Sequence, residues 1–258
     1  MNDNRDGFDV RTLAATFHAG TVLPVHAHPW GQLIFASSGV MQVMTDQASW
    51  LVPCTRAIWM PAGIGHGIRV QGELALRTLY LDGKRAAPLP DAPRVIEVTP
   101  LLRELILHIL TIGMLDSRQP SHERLAGLLL DLLMAAHPED LMLPLPADPR
   151  ARRLADRWLR APDDGRDLAQ LAAEAGASLR TLQRLFPDQT GLTLEAWRQK
   201  ARLIHAVTLL STGASVAAAA LDCGYLSPAA FSAAFSRQFG VSPGRYGART
   251  RRRGNGGP

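Results

Sequence analysis

The carboxyl-terminal part of this 258-residue chain carries one pattern twice, at an offset of 49 residues. Ser178 pairs with Ser227, Leu182 with Phe231, Phe186 with Phe235, Gly191 with Gly240, Leu192 with Val241 and Thr193 with Ser242. Each copy predicts helix, tight turn, helix. In the first, Asp167 caps a helix over 168–175 with Gln170 three places on, Gly176-Ala177 turns, and Ser178 caps a second helix reaching Phe186. In the second, Ser215 caps 216–223, Gly224-Tyr225 turns, and Ser227-Pro228 supplies a cap and a first-turn proline. Two helices joined by a short glycine turn are the unit whose second helix can lie in the major groove of DNA. Between the copies, 193–211 reads as one helix. Its 19 residues span about 28 Å at 1.5 Å each, against ~34 Å between successive major-groove faces on one side of B-DNA. One stiff connector can therefore hold two reading heads about a helical turn apart.

Charge separates this region from the rest. Residues 150–258 hold 17 of the 28 Lys+Arg but only 8 of the 23 Asp+Glu. The remainder is mildly acidic, which suggests a polyanion-binding module joined to a part with another task. The chain is 47% hydrophobic and 20% charged, enough apolar content for real cores and too little charge for a disordered chain. The longest apolar run, 105–115, is interrupted by His108 and falls short of the roughly 18 residues a membrane span needs. The first residues show no basic segment followed by an apolar one, so no signal peptide is expected. Cys54 and Cys223 lie far apart without metal-type spacing, which fits a reducing cytoplasm.

The series Leu182-Gln-Arg-Leu-Phe186, Gly191, Ala201-Arg-Leu, Leu209-Leu210, Cys223-Gly-Tyr, Ser227-Pro, Phe231, Phe235, Phe239-Gly-Val-Ser-Pro243 and Tyr246 resembles the AraC/XylS family of bacterial transcription regulators over about the last 95 residues. Once Leu179, Leu182, Leu185 and Phe186 turn inward, the first reading helix presents Arg180, Thr181, Gln183 and Arg184. Arg pairs with guanine O6 and N7, and Gln with adenine, through two hydrogen bonds each. The resemblance places base contacts at Arg180, Gln183 and Arg184. The second reading helix departs from the family pattern, presenting Ala229, Ala230, Ser232 and Ala233 where larger polar residues are usual. Small side chains give little hydrogen-bonded discrimination. Sequence preference is therefore expected mainly from the first unit, with Ser227, Arg237 and Arg245 of the second holding backbone. The aromatics Trp158, Trp197, Tyr225, Phe231, Phe235 and Phe239 are expected in the core, as is Cys223.

The first eighty or so residues read as strands. Short apolar runs at 22–25, 32–36, 40–44, 50–52, 57–60, 67–70 and 74–81 are separated by Gly, Pro, Asp and Ser, as in a sandwich or jelly-roll barrel. Gly20, His26, His28, Gln32 and Gly39 match the spacing of the first cupin motif, with Gln where that motif has Glu. Pro61, Gly63 and His66 match the centre of the second, whose leading glycine is replaced by Thr55 and whose trailing Asn by Val70. Strand alternation puts His26 and His28 on one face. With His66 and an oxygen donor they suit a divalent Zn, Ni, Fe or Mn. Gln32 argues against metal, because a neutral amide compensates none of the ion's charge. The alternative is histidines that hydrogen-bond an organic ligand or line a dry pocket. Trp30, Phe35, Trp59 and Tyr80 are candidates for an aromatic wall, while His18, His108, His122, His137 and His205 are expected at the surface or at helix ends.

These readings give an α+β two-domain chain. Residues 1–98 form a cupin-like effector-sensing β-barrel (jelly roll), and 99–137 a helical hairpin, opened by Thr99-Pro100, that makes a homodimer contact. Residues 138–149 are a linker, 150–248 an all-α DNA-binding domain with two helix-turn-helix units, and 249–258 a disordered basic tail. The expected function is a cytoplasmic, non-enzymatic regulator that binds double-stranded DNA under control of a small molecule or metal. The pairing of a His-x-His barrel with this domain order resembles a subgroup that represses a neighbouring efflux-transporter gene. Two other readings compete: a metal-dependent cupin enzyme fused to a DNA-binding domain, and a constitutive DNA-binding protein whose barrel only dimerises.

Overall fold

The computed structural model describes residues 8–254, which divide into two compact units. The first runs through Thr45 and resumes over Val52–Leu141; the second comprises Asp46–Leu51 and the chain from Met142. In chain order the elements up to Glu139 are β1 (Phe8–Phe17), β2 (Val22–His26), β3 (Gly31–Met44), β4 (Ala48–Pro53), β5 (Arg56–Met60), β6 (His66–Leu81), α1 (Gly83–Ala86), β7 (Arg94–Glu97), α2 (Pro100–Ile112), β8 (Met114–Asp116), α3 (Pro120–Ala135) and β9 (Pro138–Glu139). The sheet of the first unit is ordered β8-β1-β6-β3-β5-β7-β9, with β2 also on β6.

Two of its strands are longer than the punctuation suggests. The apolar runs at 32–36 and 40–44 are halves of β3, and those at 67–70 and 74–81 are halves of β6. The Ser37-Ser38-Gly39 break becomes a shift of register within the β3–β6 ladder instead of a turn between strands. Gly39, at φ 86°, is required there, since a Cβ would lie 2.1 Å from Glu73 O. Strand β1, which the apolar runs did not reveal, pairs with β6 from Val10 to Phe17.

Helices α2 and α3 bury an apolar face on this sheet. Leu102, Leu105, Ile106 and Ile109 of α2 and Ala126, Leu129 and Leu133 of α3 share one core with Leu33, Phe35, Trp59, Leu79 and Leu81. Thr99 caps α2 by accepting from Leu102 N, with Pro100 at its start. Between the helices, β8 pairs with β1, so the hairpin connection is itself part of the sheet.

Residues 138–149, expected as a linker, hold β9 and β10 (Met142–Pro144). The period-2 alternation of Leu141, Leu143 and Leu145, all buried, prevails over the prolines. In the second unit β10 pairs with β4. Then follow α4 (Pro149–Arg160), α5 (Leu168–Glu174), α6 (Leu179–Thr190), α7 (Leu194–Ser211), α8 (Val216–Asp222), α9 (Pro228–Phe239) and α10 (Pro243–Gly254). Helix α10 extends to Gly254, where a disordered tail was expected from 249 onward. Residues 255–258 of that tail, like 1–7, lie outside the described residues. Trp158, Phe186 and Trp197 centre the core of the first helical pair, and Phe231 and Phe235 that of the second, all with negligible exposure. Among the described residues no helix is long and apolar enough to cross a membrane.

Candidate functional site

Each reading helix is fixed by the same devices. Asp167 accepts from the amides of Ala169 and Gln170 at the start of α5, Ser178 from Thr181 N at the start of α6. Ser215 accepts from Ala218 N and Ser227 from Ala230 N in the second copy. Gly176 and Gly224 take positive φ (78° and 71°) in the two turns, where a side chain would be strained. Gly191 and Gly240 end α6 and α9 in left-handed geometry, and their amides return to Pro187 O and Ser236 O. The copies differ by one residue: the second turn inserts Leu226, fully exposed, before its cap.

Helix α6 runs four residues past the expected Phe186. Pro187 lies inside it, forfeiting one bond to the carbonyl of the exposed Gln183. Leu182, Leu185 and Phe186 are buried, and Arg180, Gln183 and Arg184 are exposed. Thr181 is half-buried and its hydroxyl is 2.8 Å from Ser178 Oγ, which assigns it to the cap. Arg180 and Arg184 make no ion pair among the described residues. Other arginines of this unit are held as struts: Arg157 binds Asp164 and Glu174 at 2.8 and 2.6 Å, and Arg166 binds the same two acids. Arg180 and Arg184 are therefore among the cations of this helical unit left for an external anion.

In α9, Ala229, Ala230 and Ala233 are exposed, Ser232 and Ser227 half-buried and Arg237 exposed. Helix α7 joins the two helix-turn-helix copies over 18 residues, about 27 Å, with Thr193 as its cap instead of its first residue. His205, expected at a surface or helix end, sits within α7 half-buried; burial pushes its pKa down. Cys223 is buried before Gly224, and burial pushes its thiol up to about 12.

In the first unit His26 ends β2 and His66 begins β6 directly opposite. His28 lies beyond β2 and not on the strand, held by a 2.7 Å contact of its Nδ1 with Trp30 O. The three rings still converge, with centroids 4.7–5.9 Å apart and potential ligand atoms within 4.8 Å of one another. Each Nδ1 faces a main-chain carbonyl: His26 that of Pro24 at 2.9 Å, His28 that of Trp30, His66 that of Ile64 at 2.9 Å. A carbonyl only accepts, so Nδ1 carries the proton and Nε2 of a neutral ring keeps its lone pair. This outer arrangement also orients histidines that bind metals. Gln32 Oε1 completes the cluster, 3.0 Å from His28 Nε2 and 2.9 Å from His66 Nε2. Burial pushes the His66 pKa below its ordinary value, and His26 and His28 push the same way. Of the four candidate wall aromatics, Tyr80 meets the His28 ring edge-on at 5.2 Å, whereas Phe35 and Trp59 belong to the helix-covered core and Trp30 is buried under Arg11. His18 is exposed and paired with Glu73, which raises its pKa.

A family model described as an AraC-like ligand binding domain matches residues 7–159, and a helix-turn-helix domain model matches 171–249. The HTH-type transcriptional regulator NimR of Escherichia coli is 34% identical over 240 residues, covering 92% of this chain and 88% of that protein. The transcriptional activator NphR of a Rhodococcus species is 37% identical over 45% of this chain and 36% of its own length. Among solved structures, the DNA-binding domain of AdpA in complex with a target DNA is 37% identical over 43% of this chain and 99% of that one, at a TM-score of 0.39. With both halves matched, and a relative similar along nearly the whole length, the chain belongs to the AraC family of helix-turn-helix transcription regulators, carrying an N-terminal ligand-binding domain and a C-terminal DNA-binding domain.

Proposed function

We propose that this regulator is a cytoplasmic homodimeric repressor that reads DNA mainly through α6 and releases or tightens its grip when an effector occupies the histidine cluster. The observation that carries the reading is the unpaired, outward Arg180, Gln183 and Arg184 on a capped helix, beside a second helix whose outward face is alanine. Arg180, Gln183 and Arg184 read base edges. Ser227, Arg237 and the start of α9 hold phosphates, while Ala229, Ala230 and Ser232 allow close approach. Repression is favoured by the resemblance of the His-x-His domain with this domain order to efflux-gene repressors. Exposed Leu101, Leu128 and Met134 on α2 and α3 supply apolar surface for a second copy. The effector is a divalent cation or a small ligand held by His26, His28, His66 and Gln32. Effector control requires that it bind the two states with different affinity.

The test is a base-substitution scan of a duplex selected by the protein. Changes in the half-box under α6 are expected to weaken binding by about 5- to 150-fold each, the equivalent of about 1–3 kcal/mol. Changes in the other half-box should act by less than about threefold. Equal sensitivity in both halves would refute the division of labour.

A further inference from the structure

Gln32 sits where lone pairs confront one another. Its Oε1 faces Nε2 of both His28 and His66, and neither neutral ring has a proton left on that nitrogen, because Nδ1 already donates to a carbonyl. The amide is held this way by its other end, where Nε2 donates to Thr78 Oγ1 at 2.9 Å and the Thr78 hydroxyl donates to Leu33 O at 2.9 Å. Gln32 is 3% exposed, and His66 and Thr78 0%, so water is a poor remedy for the Gln32–His66 contact, while His28 is half-buried. Protonating both rings would set like charges 5.3 Å apart, one of them on the buried His66.

Two arrangements remove the confrontation around Gln32. A cation among the three acceptors uses the amide as drawn, with Oε1 and the imidazole nitrogens as donors. Alternatively, the amide turns over: its two N–H bonds then point at His28 Nε2 and His66 Nε2, and Thr78 Oγ1–H swings from Leu33 O to the amide oxygen. No proton is gained or lost in the exchange. A carboxylate has no N–H and could take only the first arrangement.

Resting on the reading of this cluster as the effector site, we propose that Gln32 is a two-position amide, turned toward the histidines as a donor in the metal-free protein and toward a divalent first-row cation as an oxygen ligand in the loaded one. The neutral amide thus gives the empty site a satisfied state and gives the cation no compensating charge. The metal is a reversible signal and not a fixture. The turn also changes what the Thr78 hydroxyl binds, and Leu33, its partner in the loaded arrangement, belongs to the core shared with α2 and α3.

The experiment uses full-length protein, stripped with chelator and titrated with Zn2+, with Ni2+ and Mn2+ in parallel. Wild type is expected to bind one ion per cluster and to release it to chelator. Gln32→Glu is expected to bind at least tenfold more tightly and, when stripped, to melt at a lower temperature than stripped wild type. Should that variant fail to fold, wild type alone decides. With 15N-labelled Gln and His, metal-free protein should show through-hydrogen-bond coupling between the Gln32 amide nitrogen and an imidazole Nε2, and Zn2+ should abolish it. A wild type that binds metal but shows no such coupling when stripped, or a Gln32→Glu variant within twofold of wild type in affinity, overturns the two-position amide and leaves the metal site standing. Failure of all three ions to bind wild type overturns both.

Discussion

Replacing Arg180 and Arg184 together with alanine should lower affinity for a selected duplex by at least about thirtyfold, since each bidentate base contact is worth about 1–3 kcal/mol. Fold stability should hardly change. Both side chains are exposed and without ion pairs among the described residues, and such substitutions usually stay within about 0.5 kcal/mol. A comparison sharpens the result. Arg237→Ala should weaken binding to all duplexes alike and flatten the salt dependence by about one unit of slope, as loss of a phosphate contact does. Binding assays over a salt series, with selected and scrambled duplexes, measure both. A double variant that loses affinity equally for the two duplexes would remove these arginines from base reading.

Trp197→Ala should have the largest effect on stability. The ring stacks on Trp158 at 6.1 Å, meets Phe186 edge-on at 5.6 Å, is fully buried, and donates from Nε1 to Pro144 O at 2.7 Å. Truncation of a buried aromatic costs about 3–5 kcal/mol, which in a unit of this size lowers Tm by on the order of 15 °C. The two tryptophans differ in one respect that gives a finer check. Trp158 Nε1 is buried without a hydrogen-bond partner. Phe at 197 therefore breaks a bond and leaves Pro144 O unpaired by that donor, whereas Phe at 158 removes an unpaired N–H. Trp197→Phe should be the more destabilising of the two by about 1 kcal/mol, read by calorimetry of the full chain. Equal costs would mean that the Pro144 contact contributes nothing.

Much of the helical unit was legible because its signals are local. Ser178, Ser215 and Ser227 cap where their position in the repeat places them, and Gly191 and Gly240 stop the helices they follow. The expected end at Phe186 erred only in length: a proline late in a helix loses one bond, and the αL glycine at 191 ends α6. The sheet was harder to read. Glycines 39 and 72 look like turns in sequence, yet a long strand pair absorbs them, and nothing short of the partner strand says so. Residues 138–149 show the opposite error, where prolines concealed a buried Leu141-Leu143-Leu145 alternation. The cluster of His26, His28, Gln32 and His66 could be assembled from spacing. The direction of the Gln32 amide could not, because it depends on Thr78, 46 residues away in β6. Leu226, the extra residue of the second turn, is visible as soon as the offsets of the two helices within each copy are compared.

The claim on which the account turns is that α7 sets two reading helices into neighbouring grooves of one DNA face. Hydroxyl-radical footprinting of one DNA-binding unit's site on a selected duplex tests it directly. The prediction is two protected stretches centred about 10–10.5 base pairs apart on the same face, the one under α6 being the stretch lost first when Arg180 and Arg184 are replaced. One continuous short footprint, or two stretches on opposite faces, would contradict it.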